Sequence, residues 1–336
     1  MAQPAVSVIV PTFNRAPLLP RALDSIIAQT YDDWEIVLVD DGSTDDTPAV
    51  ADRYAQRLGD RITVLRQDNR GSSAARNRGI EASRGRYVAF LDSDDEFALT
   101  KLERQMALFG RRRELGLVYA DYAYVDERGR RCDSAFDTKC PLARTVRSEC
   151  VAPGLRVCTQ SLFDALLAGY FIATIVGVVR RDVLGAAIRF AEHLSYAEEW
   201  LFYLRVARRC RAGFVDEPLC VHHFTTGSLA RSDKSRNAVR YVAVLDAIRS
   251  AFPDLPRRQR RLIRFNLAVA LRQAGYDAIR DARPRDAVRA FHRAFRVQPR
   301  LRDLLTMSSA VSGAARRGLL PRGDRGSSQA DLCAVR

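Results

Sequence analysis

Along the first hundred positions, apolar residues come in short unbroken runs separated by stretches of helical spacing. Residues 5–10, 34–39, 62–65 and 87–91 are near-continuous apolar runs of strand length, the pattern of strands buried on both faces. Between the first two, Leu18, Leu19, Ala22, Leu23, Ile26 and Ile27 recur at helical spacing behind Pro17, a residue suited to an early helix position. A second helix is expected at 47–58 and a third after Gly71-Ser72-Ser73. Strand and helix thus alternate four times in about ninety residues. That alternation predicts a doubly wound, mainly parallel α/β sheet flanked by helices.

Beyond residue 95 the pattern loosens. A helix is predicted at 101–109, a strand at 117–122, a short helix at 161–167, a strand at 171–179, an amphipathic helix at 196–209 and a last strand at 219–224. Residues 126–160 show little periodicity and read as a long excursion, the kind of loop that often carries function. From about 230 the chain reads as helices punctuated by Pro253, Pro256, Pro284 and Pro299. Val239, Val242, Leu245 and Ile248 form one expected stripe; Leu262, Phe265, Val269 and Arg272 form a second, and 286–297 a third helix. The stretch 277–299, with Ala287, Ala290, Ala294 and Pro299, resembles a single helical-repeat unit. The expected division is 1–229 for an α/β domain, 230–320 for a helical appendix and 321–336 for a disordered tail.

Chemistry enters at the strand ends. The run Phe90-Leu91 stops at Asp92-Ser93-Asp94-Asp95-Glu96. In open α/β sheets, ligands bind at the carboxyl edge, and crowded carboxylates call for a compensating charge. A divalent cation on an oxygen-rich site is one reading. An acidic helix start is the other. A second acidic turn, Asp40-Asp41-Gly42-Ser43-Thr44-Asp45, closes the 34–39 strand.

Composition adds two constraints. The net charge of +14 is uneven: residues 230–336 hold 24 Lys and Arg against 9 Asp and Glu, leaving 30 against 31 in residues 1–229. The appendix is therefore the basic part, and nearly all of its cations are arginine. Aromatics are not interleaved with those arginines as a nucleic-acid stacking platform needs, so no nucleic-acid partner is expected. The seven cysteines, at 132, 140, 150, 158, 210, 220 and 333, show no CxxC spacing and read as reduced thiols. No signal-peptide pattern opens the chain, and the run 170–179 is too short to cross a bilayer. The expectation is a cytoplasmic protein.

Three segments recur in a fixed order: Val6-Ser7-Val8-Ile9-Val10-Pro11-Thr12-Phe13-Asn14-Arg15, Val39-Asp40-Asp41-Gly42-Ser43-Thr44-Asp45, and Ala74-Ala75-Arg76-Asn77-Arg78-Gly79 running on to Phe90-Leu91-Asp92-Ser93-Asp94-Asp95. Together they resemble the family 2 inverting glycosyltransferases of the GT-A fold, strongly over 5–125 and weakly to about 229. The resemblance implies a DxD motif at Asp92-Ser93-Asp94. Asp94 would be the direct ligand of Mn²⁺ or Mg²⁺, and Asp92 would face the ribose or sugar. It implies a nucleotide pocket lined by Pro11, Thr12, Phe13 and Arg15, with Asp40 and Asp41 toward the base and Arg76 supporting the pocket by pairing with Asp40 or Asp41. The family's base is usually an Asp in a Glu-Asp pair. The matching run here is Ala197-Glu198-Glu199-Trp200-Leu201, so Glu199 takes that position and Glu198 is the other candidate. His223 falls where a diphosphate-contacting Arg would stand.

The implied activity is metal-dependent transfer of a sugar from a nucleoside-diphosphate sugar to a glycan or lipid-linked hydroxyl, in cell-surface polysaccharide or glycolipid synthesis. The basic appendix would then contact anionic membrane peripherally. A non-catalytic sugar-nucleotide-binding member is the alternative. A nucleotidyltransferase is a third reading, but 11–15 is not the glycine-rich basic loop that it would carry.

Overall fold

The structure is a computed structural model and describes residues 3–126, 128–224 and 234–311. The chain divides into two compact units. Unit 1 comprises 1–165, 171–193 and 198–226; unit 2 comprises 166–170, 194–197 and 227–336.

Unit 1 opens with β1 (Val6–Thr12), α1 (Leu19–Ile27), β2 (Trp34–Asp40), α2 (Thr47–Leu58), β3 (Ile62–Arg66), α3 (Ser72–Ala82) and β4 (Tyr87–Phe90). It continues with β5 (Glu96–Phe97), α4 (Lys101–Arg111), β6 (Leu115–Val125), β7 (Arg131–Cys132), α5 (Ala135–Thr138), β8 (Ser148–Ala152) and β9 (Leu155–Cys158). Then come α6 (Leu162–Ala168), β10 (Val178–Arg180), α7 (Arg181–Leu184), α8 (Glu198–Ala207) and β11 (Arg211–His223). One mixed sheet runs β3-β2-β1-β4-β10-β6-β11-β9-β8. β3, β2, β1 and β4 are all parallel. β10 runs antiparallel to both β4 and β6, and β11 runs parallel to β6.

The parallel half matches the predicted α/β sheet because its strands are apolar on both faces. Val8, Ile9, Val10, Ile36, Val37, Leu38, Val88, Ala89 and Phe90 are fully buried. Helix α3 lies close on β1: a Cβ added at Gly79 would sit 2.4 Å from Ile9 Cγ2, so only glycine permits that approach. Register then sets the functional edge. Thr12 pairs with Asp40 and Ile9 pairs with Phe90. The chain therefore leaves β1, β2 and β4 on one side of the sheet. β1 is also where the strand order reverses, the place where α/β folds hold ligands.

Several expectations need correction. Residues 171–179 are not one strand: a 3-10 turn occupies Thr174–Val176, and only Val178–Arg180 pairs. A buried apolar run looks the same in either conformation. Residues 126–160 are not a structureless excursion, since they hold β7, α5 and the β8–β9 hairpin turned at Gly154 (φ +72°). Helix α8 is not amphipathic; Trp200 to Leu204, Val206 and Ala207 are buried. In line with expectation, the six cysteines among the described residues are free thiols.

Unit 2 carries α9 (Lys234–Ala251), α10 (Arg257–Arg280), α11 (Pro284–Val297) and α12 (Leu301–Val311), the last of which was not anticipated. Val239 is exposed rather than part of the buried stripe, which runs through Val242, Val244, Leu245 and Ile248. On α10 the buried face is Ile263, Leu267, Ala270, Leu271, Ala274 and Ala278, not the stripe through Leu262 and Phe265. Toward the carboxyl end this face turns to small residues: Gly275 lies under the Phe291 ring of α11, where a Cβ would meet the ring at 2.6 Å. The expected tail 321–336 lies outside the described residues.

Lys101 is fully buried in unit 1. Its ammonium donates to Gln105 Oε1 at 2.6 Å and lies 4.2 Å from the Phe97 ring centre. Burial pulls it from 10.5 down to about 8. From pH 8 to 10.5 the unfolded chain holds a proton that the folded chain has released, so stability rises with pH across that window. At pH 7 the buried charge costs on the order of 3 kcal/mol. Lys101→Met leaves Gln105 Oε1 without its donor, which offsets about 1 kcal/mol of the relief. The variant should therefore be more stable than the wild type at pH 7, by roughly 1–2 kcal/mol in denaturant unfolding. The difference should narrow by pH 10, and a pH-independent difference rules this account out.

Candidate active site

The acid loop after β4 is a tight turn, with Asp95 N–H donating to Asp92 O at 3.0 Å. Its four acids do different things. Asp92 is partly exposed, and its Oδ1 accepts from Arg76 Nη2 at 2.7 Å. Asp94 is partly exposed, with Oδ2 4.0 Å from Arg15 Nε, and its carbonyl accepts from Arg21. Asp95 is fully buried; its Oδ2 pairs with His222 Nδ1 at 2.9 Å and its Oδ1 accepts from His223 N–H at 2.8 Å. Glu96 Oε1 lies 2.6 Å from His223 Nε2 and 3.3 Å from Arg21 Nε. Burial pushes the Asp95 carboxyl up, and the adjacent imidazole draws it partly back. Burial works against the His222 cation, but Asp95, Asp92 and Asp94 together lift it to about 9. The inner two acids thus fasten the loop to β11, and the outer two face the edge. His223, expected at the diphosphate, commits Nε2 to Glu96.

The Asp40-Asp41 turn is organised from inside. Asp40 Oδ1 accepts from Ser43 N–H at 3.0 Å. Asp41 is buried, and its Oδ1 accepts from Gln67 Nε2 at 2.7 Å and Arg70 N–H at 2.9 Å. Its Oδ2 accepts from Gly71 N–H at 2.7 Å. Gly71 has φ +89°, a conformation that favours glycine, so the start of α3 is held to the turn. The loop after β1 is laced to the same turn. Asn14, itself at φ +51°, takes Thr44 N–H on Oδ1 at 2.8 Å and donates its own N–H to Ser43 Oγ at 2.9 Å. Arg15 N–H donates to Thr47 Oγ1 at 2.8 Å. Pro11 and Thr12 are buried, while Phe13 is 41% exposed at the edge.

Arg76 does not pair with Asp40 or Asp41, as was expected. Its fork reaches Asp92 Oδ1 with Nη2 and Glu198 Oε1 with Nη1, both at 2.7 Å. The guanidinium carbon lies 5.3 Å from the Phe190 ring centre. Burial opposes the charge, yet Asp92 and Glu198 hold Arg76 well above its ordinary value. Glu198 is buried, and Ser72 Oγ also donates to it at 3.4 Å. Glu199 is half-buried and acts electrostatically on both Arg76 and Tyr203. Asn77, which sequence reasoning passed over, donates to Phe190 O at 3.0 Å and accepts Phe190 N–H at 2.8 Å. Phe190 stacks on Phe202 of α8 at 4.1 Å. The Ala-Arg-Asn segment was the available signal: adjacent polar residues inside a buried helix need partners.

Among the described residues, no three His, Cys, Asp or Glu side chains gather as a metal site. Asp92 and Asp94 offer carboxylate oxygens, which suit a hard cation but cannot fill six positions. They fit a cation that arrives with phosphate oxygens and completes its shell from them.

Replacing Arg76 by Met leaves two carboxylates, one of them buried, without their cation. The expected loss is about 3–5 kcal/mol of stability in denaturant unfolding. Arg76→Lys, a single point charge with a shorter reach, should recover part of it. A loss below about 1 kcal/mol for the Met variant would mean that the bridge is not structural.

Residues 7–164 match the family model described as Glycosyl transferase family 2. The PGL/p-HBAD biosynthesis glycosyltransferase of Mycobacterium bovis (strain BCG / Pasteur 1173P2) is 43% identical over 122 residues, 36% of this chain and 48% of that protein. The putative teichuronic acid biosynthesis glycosyltransferase TuaG of Bacillus subtilis is 37% identical over 128 residues, 38% of this chain and 50% of that protein. The chain therefore spans about half the length of the curated relatives it matches. Among solved structures, S. aureus TarS 1-349 in complex with UDP-GlcNAc superposes with a TM-score of 0.66 at 19% identity, over 96% of this chain and 95% of that one. Mannosyltransferase PcManGT from Pyrobaculum calidifontis, in complex with GDP-Man and Mn²⁺, gives 0.56 at 20% identity, over 96% and 89%. At these identities the structures show a shared GT-A type fold. The two acidic turns, the loop after β1 and Arg76 all fall within residues 7–164, the span in which the chain is similar to glycosyl transferase family 2.

Proposed function

We propose that this chain is an inverting, metal-dependent glycosyltransferase that moves a sugar from a nucleoside-diphosphate sugar to a hydroxyl acceptor. The observation that carries the reading is the convergence at one sheet edge. The loop 11–15, the Asp40-Asp41 turn and Asp92 to Asp94 meet there, and Arg76 ties Asp92 to Glu198 at 2.7 Å. The relatives named for PGL/p-HBAD and teichuronic acid biosynthesis support an acceptor that is a growing cell-surface polysaccharide or a glycolipid.

The geometry supports the following roles. Phe13 presents an aromatic face to a nucleobase at the edge, beside Pro11, Thr12 and Arg15. Asp40 and Asp41 shape the base pocket, and the backbone donors already on Asp41 hold its carboxylate in place. Asp94 is the direct metal ligand, with Mn²⁺ or Mg²⁺ as the cation. Asp92, fixed through Oδ1 by Arg76, turns its other oxygen to ribose or sugar, with Ser93 between the two acids. A bound cation neutralises the charge that develops on the departing diphosphate.

Glu199 is the base. It takes the proton of the acceptor hydroxyl as the new bond to the anomeric carbon forms and the bond to the diphosphate oxygen breaks. Glu198 is committed to Arg76, so it positions the first turn of α8 rather than meeting an acceptor. His223 steadies the acid loop from β11, on the side where the diphosphate would lie. No described helix is long and apolar enough to cross a membrane. The reading places the protein at the cytoplasmic face of the membrane, with its basic C-terminal helices toward anionic lipid.

Donor hydrolysis with Mn²⁺, screened across uridine and guanosine diphosphate sugars, tests the reading. Asp94→Ala should lower turnover at least 100-fold and abolish the metal-dependent part of donor-induced thermal stabilisation. Glu199→Gln should lower turnover by roughly 10²–10⁴ while that stabilisation persists. Stabilisation by a donor without hydrolysis of any donor would favour the non-catalytic binding member.

A further inference from the structure

The arginines of unit 2 are not all alike. Arg249 and Arg293 pair with Asp246, Arg280 with Asp277, Arg283 with Asp281 and Asp286, and Arg272 with Asp303. Arg257, Arg260 and Arg261 are exposed and, like Arg258, Arg285, Arg296, Arg300 and Arg302, take part in no ion pair among the described residues; what sets these three apart is that they line one groove. With Arg264 they stand at i, i+3, i+4 and i+7 of α10 and so share one face. They line a groove of about 670 Å³ whose remaining walls are Phe265, Val297 and Gln298.

The placement is costly for the isolated protein. Like charges at i, i+4 repel. These also sit in the first two turns of α10, where the helix dipole disfavours cations, and its first turn holds no acid. Arg264 is accounted for: Nε and Nη2 donate to Val297 O at 3.2 and 2.7 Å, closing the carboxyl end of α11. The other three are not. An anion in the groove would relieve both penalties at once.

The chain leads from a wall of the groove, Gln298, directly into a helix with exposed leucines. Helix α12 begins three residues after Gln298 and presents Leu301 at 79% and Leu304 at 41% exposure. Its orientation is set, since Arg272 donates to Gln298 O at 2.7 Å and grips Asp303 with two bonds of 2.9 Å. Arginines beside exposed leucines are the make-up of an interfacial surface, with cations at headgroup level and leucines at the acyl boundary. A soluble phosphate ligand would leave the leucines unexplained.

We propose that the Arg257, Arg260 and Arg261 groove, with Leu301 and Leu304 beside it, docks on the phosphate headgroups of an anionic lipid surface. This rests on the membrane-facing part of the reading above and is independent of its donor chemistry.

The test is co-flotation of the full chain with vesicles of phosphatidylcholine, with and without phosphatidylglycerol. Binding should need the anionic lipid and weaken with salt. Replacing Arg257, Arg260 and Arg261 together by Gln should weaken it roughly 100-fold. The same charge removed at Arg280, Arg283 and Arg289 should change it far less. Leu301→Ser with Leu304→Ser should weaken binding at high salt as well as low. The groove substitutions reduce like-charge repulsion on an exposed face, so circular dichroism and melting should be unchanged; should they unfold, Arg261→Gln alone is read in the same assay. The proposal is overturned by three outcomes: no binding to anionic vesicles, equal losses in both arginine triples, or stabilisation by inorganic phosphate without vesicle binding. Donor hydrolysis in the same preparations separates the two readings. Flotation without hydrolysis sinks the catalytic one alone, and hydrolysis without flotation sinks only this one.

Discussion

The fork of Arg76 is the interaction on which the candidate site depends. One planar guanidinium joins an acid on the loop after β4 to an acid 122 residues away in the first turn of α8. Arginine's rigid planar fork serves two carboxylates in two directions from a buried position better than the point charge of a lysine does. Without it, Asp92 would turn back to solvent and Glu198 would be a buried charge with no counterion. The bridge also keeps the acidic edge from repelling itself apart. Asp92, Asp94, Asp95, Glu96, Glu198 and Glu199 face, among the described residues, the cations of Arg15, Arg21, Arg76 and His222. Among the described residues these carboxylates outnumber the cations that face them, an imbalance that the proposed metal and diphosphate would address.

A second constraint works from below. Parallel pairing brings Thr12 level with Asp40, so the loop after β1 and the turn after β2 must share one small volume. Asn14, Ser43, Asp45 and Thr47 knit them together, and Asp41 draws the start of α3 to the same place through Gly71. Arg76 stands one turn farther along α3. The position of its fork therefore follows from the Asp41–Gly71 contact as much as from its own partners, and each strand-end motif places the next.

This explains what could be read in advance. The parallel strands, the acidic turns and the edge where they meet were legible because each signal is local: a continuous apolar run, then polar residues at its end. The partners of Arg76 were not, since Glu198 lies far along the chain and no local pattern selects it over Asp40 or Asp41. Residues 171–179 were misread because burial, not strand pairing, makes that segment apolar. The β8–β9 hairpin was missed because its strands mix exposed and buried residues, as in Ser148-Glu149-Cys150. On α10 the bulky residues Leu262 and Phe265 suggested one face, whereas the packed face runs through Ile263, Leu267 and Leu271 to alanines and Gly275, the last of these under Phe291. Close helix contact selects small residues, which a search for large apolar side chains undervalues.

The same bridge bears on the departure at the proposed base position. A glutamate reaches about 1 Å farther than an aspartate, and a misplacement of that size can cost much of a rate. That concern assumes an otherwise unchanged helix start. Here Glu198 is clamped by Arg76 and Ser72, and Phe202 within α8 stacks on Phe190, which Asn77 holds in turn. The backbone at residue 199 is thus held by contacts that do not involve its own side chain. On the proposal that Glu199 is the base, an extra methylene alters reach along one direction from a fixed origin, and the acceptor hydroxyl, rather than the helix, is what would lie farther away.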